Sequence, residues 1–358
     1  MNLDDRQPIR CLDSSNMLGR IAELPRQCTA AWEQSMRLAL PSGYSSVDHV
    51  TIAGMGGSAI GGALLKGLVV DECLLPITVV RGYTLPAFVE GPRSLVIACS
   101  YSGNTEETLS CFEQARARGA RAAAVTTGGK LADLADEAGV PVARFDYESQ
   151  PRAAIGYSFV LLLGLMHQLG IIHDYSDEVT ESAQVMEAWQ EQLGVQVPIP
   201  RNPAKQMASR LACSLPVIYG AGFLAAVANR WKTQFNENAK HWAFFEVLPE
   251  LNHNAVVGLG IPAVIRDNSV VLMLRSPLDH QRVQERWDVT RDLLTREGVA
   301  AEEVHGRGDS ALAQMLSLIH LGDYVSFYTA MLNEVDPTPV DAIAFLKQRL
   351  AELGSALE

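Results

Sequence analysis

The 358-residue chain is 48% hydrophobic and 20% charged, with a formal net charge of −12. Its length suits two domains of ordinary size, and it has no run of the roughly 18 apolar residues that a membrane span needs. The acidic balance disfavours nonspecific nucleic-acid binding, and six cysteines without a CxxC pair suit a reducing cytoplasm, as does an opening, MNLDDRQPIR, unlike a secretory signal.

In chain order, residues 12–37 read as helix, bent or divided at Pro25. Residues 50–53 form a first strand that enters Gly54-Met55-Gly56-Gly57-Ser58, and small and apolar residues then recur at helical spacing to about Val69. That order is strand, glycine turn, helix start. Glycines let the backbone approach an anion, and the free N–H groups of the first helical turn attract it. Ile77–Val80 and residues 94–99 are further strands. The latter leads into Ser100-Tyr101-Ser102-Gly103-Asn104-Thr105 and a helix from Glu106 to about Arg118. An N-cap needs one hydroxyl, whereas three at a strand end and helix start point to a phosphate monoester held without a lysine. Residues 122–126, a helix around 131–138 and residues 140–144 complete a βα alternation, which means a parallel sheet covered by helices on both faces.

A long apolar helix at 158–169 and an acidic helix at 177–193 follow, and the proline-rich segment 196–203 is the candidate linker. The pattern then restarts with a strand at 216–219, Gly220-Ala221-Gly222 and a helix through Ala239. A strand at 270–274, a helix at 279–296 and closing helices at 312–332 and 339–353 complete the chain. The strand–GxG–helix unit at Gly54 thus recurs at Gly220. The chain reads as two copies of one α/β domain, residues 1–195 with the leading helix and residues 204–358. Both turns also satisfy the loose dinucleotide pattern GxGxx(G/A), but Ile77–Val80 runs into Arg81-Gly82, where NAD would want an acid. The histidines form no HxH or HExxH arrangement, so the expected chemistry is metal-free acid–base catalysis.

Several single residues carry two readings each. Arg152 follows a proline and precedes the apolar helix start Ala153-Ala154-Ile155-Gly156, where a cation wants an anionic partner. Glu237, near the end of its helix, is a solvated glutamate or a general base. His253, between Asn252 and Asn254, suits a hydrogen-bonded polar turn whether structural or catalytic. Lys347 sits at helical spacing and reads equally as a surface lysine. Asp336-Pro337-Thr338-Pro339 reads as a helix-capping turn with Thr338 as the cap, or as a rigid turn presenting a small side chain.

These motifs together resemble the sugar isomerase (SIS) domain family. The resemblance narrows at Glu148-x-x-Pro151-Arg152, Asn236-Glu237-Asn238-Ala239-Lys240, Glu250-Leu251-Asn252-His253-Asn254 and the tail Asp336-Pro337-Thr338-Pro339-Val340…Leu346-Lys347, and it extends to Leu12-Asp13-Ser14-x-Asn16-Met17-Leu18. These look like the bifunctional phosphoglucose/phosphomannose isomerase branch. The resemblance implies two SIS-type domains, each a mostly parallel sheet flanked by helices on both faces. It implies interconversion of glucose 6-phosphate and mannose 6-phosphate with fructose 6-phosphate through a cis-enediol, with no cofactor and no metal. Gly57, Ser58, Ser100, Ser102 and Thr105 would hold the sugar phosphate. Glu237 would move the proton between C1 and C2, His253 would work on the ring oxygen, Lys347 would assist ring opening, and Arg152 would stabilise the enediolate. Thr338 is the candidate for leaving room for the C2–C3 rotation that both epimers need. A cytoplasmic homodimer is also implied, its histidine reaching the other subunit's site, with a sugar phosphate as partner and neither nucleic acid nor membrane. The alternatives are another SIS isomerase, acting on amino sugars or pentose phosphates, and a non-catalytic sugar-phosphate-binding regulator; no helix-turn-helix or basic segment supports the regulator.

Overall fold

The computed structural model describes residues 1–354, so the last expected residues of the second half lie outside them. The first sheet contains β1 (His49–Gly54), β2 (Ile77–Val80), β3 (Ser94–Ser100), β4 (Arg121–Thr126) and β5 (Val142–Arg144), in the order β2-β1-β3-β4-β5. The second contains β6 (Leu215–Ala221), β7 (Phe244–Leu248), β8 (Ser269–Arg275) and β9 (Ala300–His305), in the order β7-β6-β8-β9. Every neighbouring pair is parallel. β1 and β3 are apolar runs buried along almost their whole length, as strands covered on both faces must be.

The two sheets repeat one topology. In each, the strand that enters the glycine turn has the next strand on one side of it and the following two on the other, and the first sheet adds β5 beyond them. Gly56 and Gly222 even share a left-handed φ, +49° and +48°. The repeat expected from the two GxG turns is therefore present in backbone geometry.

Three local expectations needed revision. The helix expected at 12–37 is three shorter helices, one of which begins earlier: Arg6–Leu12, Met17–Ala22 and Leu24–Ser35. Pro25 lies in the first turn of the last, where its missing N–H is not needed. β7 and β9 are two strands the sequence pattern does not single out: Glu246 divides the apolar residues of β7, Glu302 and Glu303 occupy the middle of β9, and both strands are only partly buried. The proline-rich segment runs straight into a helix, Pro203–Leu211. Its cap, Asn202, accepts from Lys205 N–H at 3.0 Å and donates to the carbonyls of Leu193 and Gly194 at 2.9 and 3.1 Å.

The helix Ala311–Leu332, expected only to close the chain, lies at its centre. Every residue from Leu312 to Met331 is buried, a row of polar residues from Gln314 to Thr329 among them. It packs against Met17–Ala22 and Ser176–Leu193 of the first half and against Pro203–Leu211 and Ala225–Glu237 of the second. One apolar cluster accordingly joins residues from Leu3 to Met331. Among the described residues no helix is long and apolar enough to cross a membrane, and all six cysteines are free thiols.

One carboxylate interrupts this helix. Asp323 is buried and accepts two hydrogen bonds from Arg230 Nη2, at 2.9 and 2.8 Å, and one from Gln234 Nε2 at 2.8 Å. Removing one partner of a buried pair leaves the other charge uncompensated. Asp323→Ala should therefore destabilise the protein by about 3–5 kcal/mol in denaturant unfolding. A loss below about 1 kcal/mol, the range of exposed pairs, would mean that water reaches Arg230.

Candidate active site

The two hydroxyl-bearing turns leave the C-terminal ends of adjacent strands, since Ala53 pairs with Ala98 and Gly54 with Cys99. They flank the position where the strand order changes direction, the place where open α/β sheets hold ligands. Gly56–Leu68 begins at one turn and Glu106–Ala117 at the other, so two sets of unpaired helix N–H groups converge there. Ser58 and Ser100 are buried, and Ser100 Oγ lies 2.9 Å from Thr105 Oγ1. Thr105 occupies the N-cap position of its helix, yet its side chain makes no capping bond. The simple cap reading thus fails for Thr105, whose hydroxyl is turned toward Ser100. Ser102 is exposed and its Oγ accepts from the Asn104 N–H at 3.3 Å.

A second turn braces this loop. Thr127 N–H and Oγ1 both donate to Tyr101 O, at 3.1 and 2.7 Å, and Leu131 N–H donates to Gly103 O at 2.9 Å. Gly57, in the other turn, backs onto Pro151, whose carbonyl a Cβ there would approach to 3.2 Å. That contact sets the next element, the short helix Pro151–Ala154, beside the cradle.

Arg152, on that short helix, gathers the second group of polar residues. It is only 3% exposed, and its donors are met from other parts of the chain. Nε donates to Asn238 Oδ1 at 2.7 Å, and Nη2 donates to the carbonyls of Pro337 and Thr338 at 2.6 and 2.8 Å. Nη1 lies 3.6 Å from Glu237 Oε2. Burial lowers the Arg152 pKa and the Glu237 carboxylate opposes that shift, but a guanidinium starts so high that it stays charged. The anionic partner expected for this cation is therefore Glu237. Arg230, held by Asp323, donates to the Arg152 carbonyl at 3.1 Å, and Asn238 Nδ2 donates to Ser326 Oγ at 3.0 Å. The buried polar groups of Ala311–Leu332 thus fix both Arg152 and its neighbour.

Thr338 joins the same assembly. Its N–H donates to Asp336 Oδ1 at 2.8 Å, while Ser14 Oγ donates to Asp336 Oδ2 at 2.7 Å. The following helix begins at Asp341, so Thr338 is not its cap. Thr338 instead lines a cavity of about 410 Å³ together with Ser15, Met17, Arg20, Glu148, Ser149 and Gln150. Sequence reasoning assigned no role to Asn238, Asp336, Arg230 or Asp323. The visible signal was Asp323, a lone acid in a long apolar run.

His253 and Lys347 lie apart from this group. His253 is exposed at the end of the short helix Glu250–His253, which follows β7. Its flanking residues make the expected polar turn: Asn252 Nδ2 donates to Thr290 Oγ1 at 2.9 Å and Asn254 Nδ2 to Glu250 Oε1 at 2.8 Å. Lys347 is on the exposed helix Asp341–Gly354. Among the described residues, neither side chain bonds to Arg152 or Glu237.

A profile of the bacterial phospho-glucose isomerase C-terminal SIS domain matches residues 200–350. A bifunctional phosphoglucose/phosphomannose isomerase of Caldicellulosiruptor bescii is 44% identical over 94% of this chain and 99% of its own. The chain belongs to the bifunctional phosphoglucose/phosphomannose isomerase family. A second member, from Aquifex aeolicus, is 38% identical over 84% of this chain and 90% of its own. The fold is also that of the tagatose-6-phosphate ketose/aldose isomerase of Escherichia coli, with a TM-score of 0.70 at 16% identity, covering 90% of this chain and 95% of that one.

The two glycine turns of this family member differ in what surrounds them. In the second, Phe223 and Leu224 stand where the first has Gly57 and Ser58. Asp279 Oδ1 lies 3.6 Å from where a Cβ on Gly222 would be, and Ser276 Oγ donates to Gln314 Oε1 at 2.6 Å. A resident carboxylate there repels a second anion.

The first cradle depends on Gly103, which has φ +67° and whose added Cβ would fall 1.7 Å from Gly128 O. Gly119 has the same φ with open space around it. Gly119→Ala should lose the backbone strain alone, about 1–2 kcal/mol. Gly103→Ala should lose distinctly more in urea unfolding, and equal losses would mean that the Gly128 carbonyl yields freely.

Proposed function

We propose that the chain interconverts glucose 6-phosphate and mannose 6-phosphate with fructose 6-phosphate by acid–base chemistry through a shared cis-enediol. The observation that carries this reading is the buried Arg152 held 3.6 Å from the Glu237 carboxylate, in a chain 44% identical along its length to an isomerase of that name. The phosphate would sit between the two helix starts, bonded by Gly57 N–H and the hydroxyls of Ser58, Ser100, Ser102 and Thr105. Glu237 would take the C2 proton of the open-chain aldose and return it to C1. Negative charge then moves onto the sugar oxygens, and Arg152 Nη1 is the guanidinium nitrogen able to meet it. Because glucose and mannose differ only at C2, removing that proton gives both the same enediol. Thr338 would leave the space in which the C2–C3 segment turns.

Ring opening would fall to His253 and Lys347, with His253 supplied by a second copy of the chain. The exposed segment around His253 supports this arrangement: Trp242, Val257 and Ile261 are 72%, 86% and 85% exposed, and β7 is a sheet edge. Such apolar surface calls for a covering partner. A reducing cytoplasm suits six unpaired thiols.

The direct test is a coupled assay with glucose 6-phosphate and mannose 6-phosphate, run in deuterated solvent. Both should be converted, with deuterium entering C1 of the fructose 6-phosphate formed, and Glu237→Gln should lower kcat by about 10²–10⁴-fold with substrate still bound. A Gln variant of normal rate would remove Glu237 from the mechanism. Thr338→Gln should suppress mannose 6-phosphate turnover well beyond glucose 6-phosphate turnover, and parallel losses would deny it a part in specificity.

A further inference from the structure

The turn bearing Thr338 is gripped by two cations. Arg152 takes the carbonyls of Pro337 and Thr338, and Lys240 Nζ donates to the preceding carbonyl, Asp336 O, at 2.7 Å. Lys240 also donates to Glu237 O at 2.9 Å and Asn238 O at 3.4 Å. Those two carbonyls end the helix that carries Glu237, where no further turn is present to bond them. The Lys240 backbone adopts φ +50°, a left-handed conformation that a long side chain holds only when its contacts require it. A lysine serving solubility alone would need neither the backbone strain nor three carbonyls from two segments.

We propose that Lys240 is a positioning residue whose ammonium fastens the end of the Glu237 helix to the Asp336–Thr338 turn, fixing the base relative to the turn that faces the substrate. The proposal rests on the reading of Glu237 as the base. Three acceptors match the three N–H bonds of an ammonium, whereas a neutral amine offers only two. The charges facing Nζ are Arg152 and the carboxylates of Asp336, Asp341 and Glu237. Lys240 is exposed as a whole, yet partial desolvation of its ammonium, reinforced by Arg152, outweighs these carboxylates and pulls it down to about 8. The fastening is therefore complete below that pH and loosens as pH rises through it. An alkaline fall in turnover results, because the base and the turn then drift independently.

The experiment uses the full chain and its Lys240→Met and Lys240→Arg variants, with glucose 6-phosphate turnover followed from about pH 6 to 10, across the lysine range. Lys240→Met should lose on the order of 10–10²-fold in kcat, more than in KM, and should lack the alkaline limb near 8. Lys240→Arg should recover most of the rate and move that limb upward, since a guanidinium keeps its charge. A Met variant of normal rate, or an alkaline limb unmoved in the Arg variant, would overturn the proposal. If the Met variant does not fold, the position of the limb in the Arg variant decides alone. Amide hydrogen exchange at Asp336, Thr338 and Val340 supplies a readout independent of turnover. It should accelerate in Lys240→Met, and unchanged exchange rejects the fastening. Failure of the catalytic reading has a different signature: a wild-type chain inert toward both hexose phosphates, or a fully active Glu237→Gln.

Discussion

A guanidinium taken out of water must have its donors met, and this requirement at Arg152 organises the molecule. Asn238, Glu237, Pro337 and Thr338 surround the side chain, while Arg230, anchored by Asp323, holds its carbonyl. All of these partners come from the second half of the sequence and Arg152 from the first, and Asp323 and Ser326 of the central helix Ala311–Leu332 hold Arg230 and Asn238 in turn. A change to the packing of that helix would reach Arg152 and Glu237 together. The pair of hydroxyl-bearing turns is built differently. It uses only the first sheet, two helix starts and a bracing glycine turn, and touches the Arg152 group through Gly57 against Pro151.

Duplication explains the frame, and divergence explains why the two turns present different side chains. Both glycine turns keep the same left-handed residue, since strand–turn–helix geometry requires it wherever the unit occurs. The hydroxyls do not recur with it. Where the first half offers Ser100, Ser102 and Thr105, the second places Arg275-Ser276-Pro277-Leu278-Asp279 and directs Ser276 and Asp279 to internal partners. The second half instead supplies the helix end bearing Glu237 and the turn bearing Thr338.

Legibility in the sequence tracks burial. β1 and β3 are buried, largely apolar strands ending in glycine or serine, so strand and turn could both be read from them. β7 and β9 are sheet edges with mixed exposure and left no such trace. Pro203 disguised a helix as a linker, because proline marks a break and a helix start alike. The Arg152–Glu237 pairing joins residues far apart in the chain, and no local pattern encodes it; an isolated arginine before an apolar helix showed only that some anion was required. For His253 and Lys347 the residue types were suggestive, but their exposure in the single chain leaves their roles to the family resemblance.

The fastening of Ser14 to Asp336 and of Arg152 to Thr338 also bears on how the molecule comes into being. A ribosome releases the N-terminal sheet first, and its two hydroxyl-bearing turns, with the brace at Leu131, can close while the rest is still being made. The Arg152 guanidinium has no such early option: its partners lie in the second half of the sequence, Pro337 and Thr338 last of all, and until they emerge water is its only good solvent. The nascent chain therefore passes through a stage in which the turns of the first sheet are formed while Arg152 is still hydrated. The buried cluster around Arg152 closes only once the turn bearing Thr338 is in place.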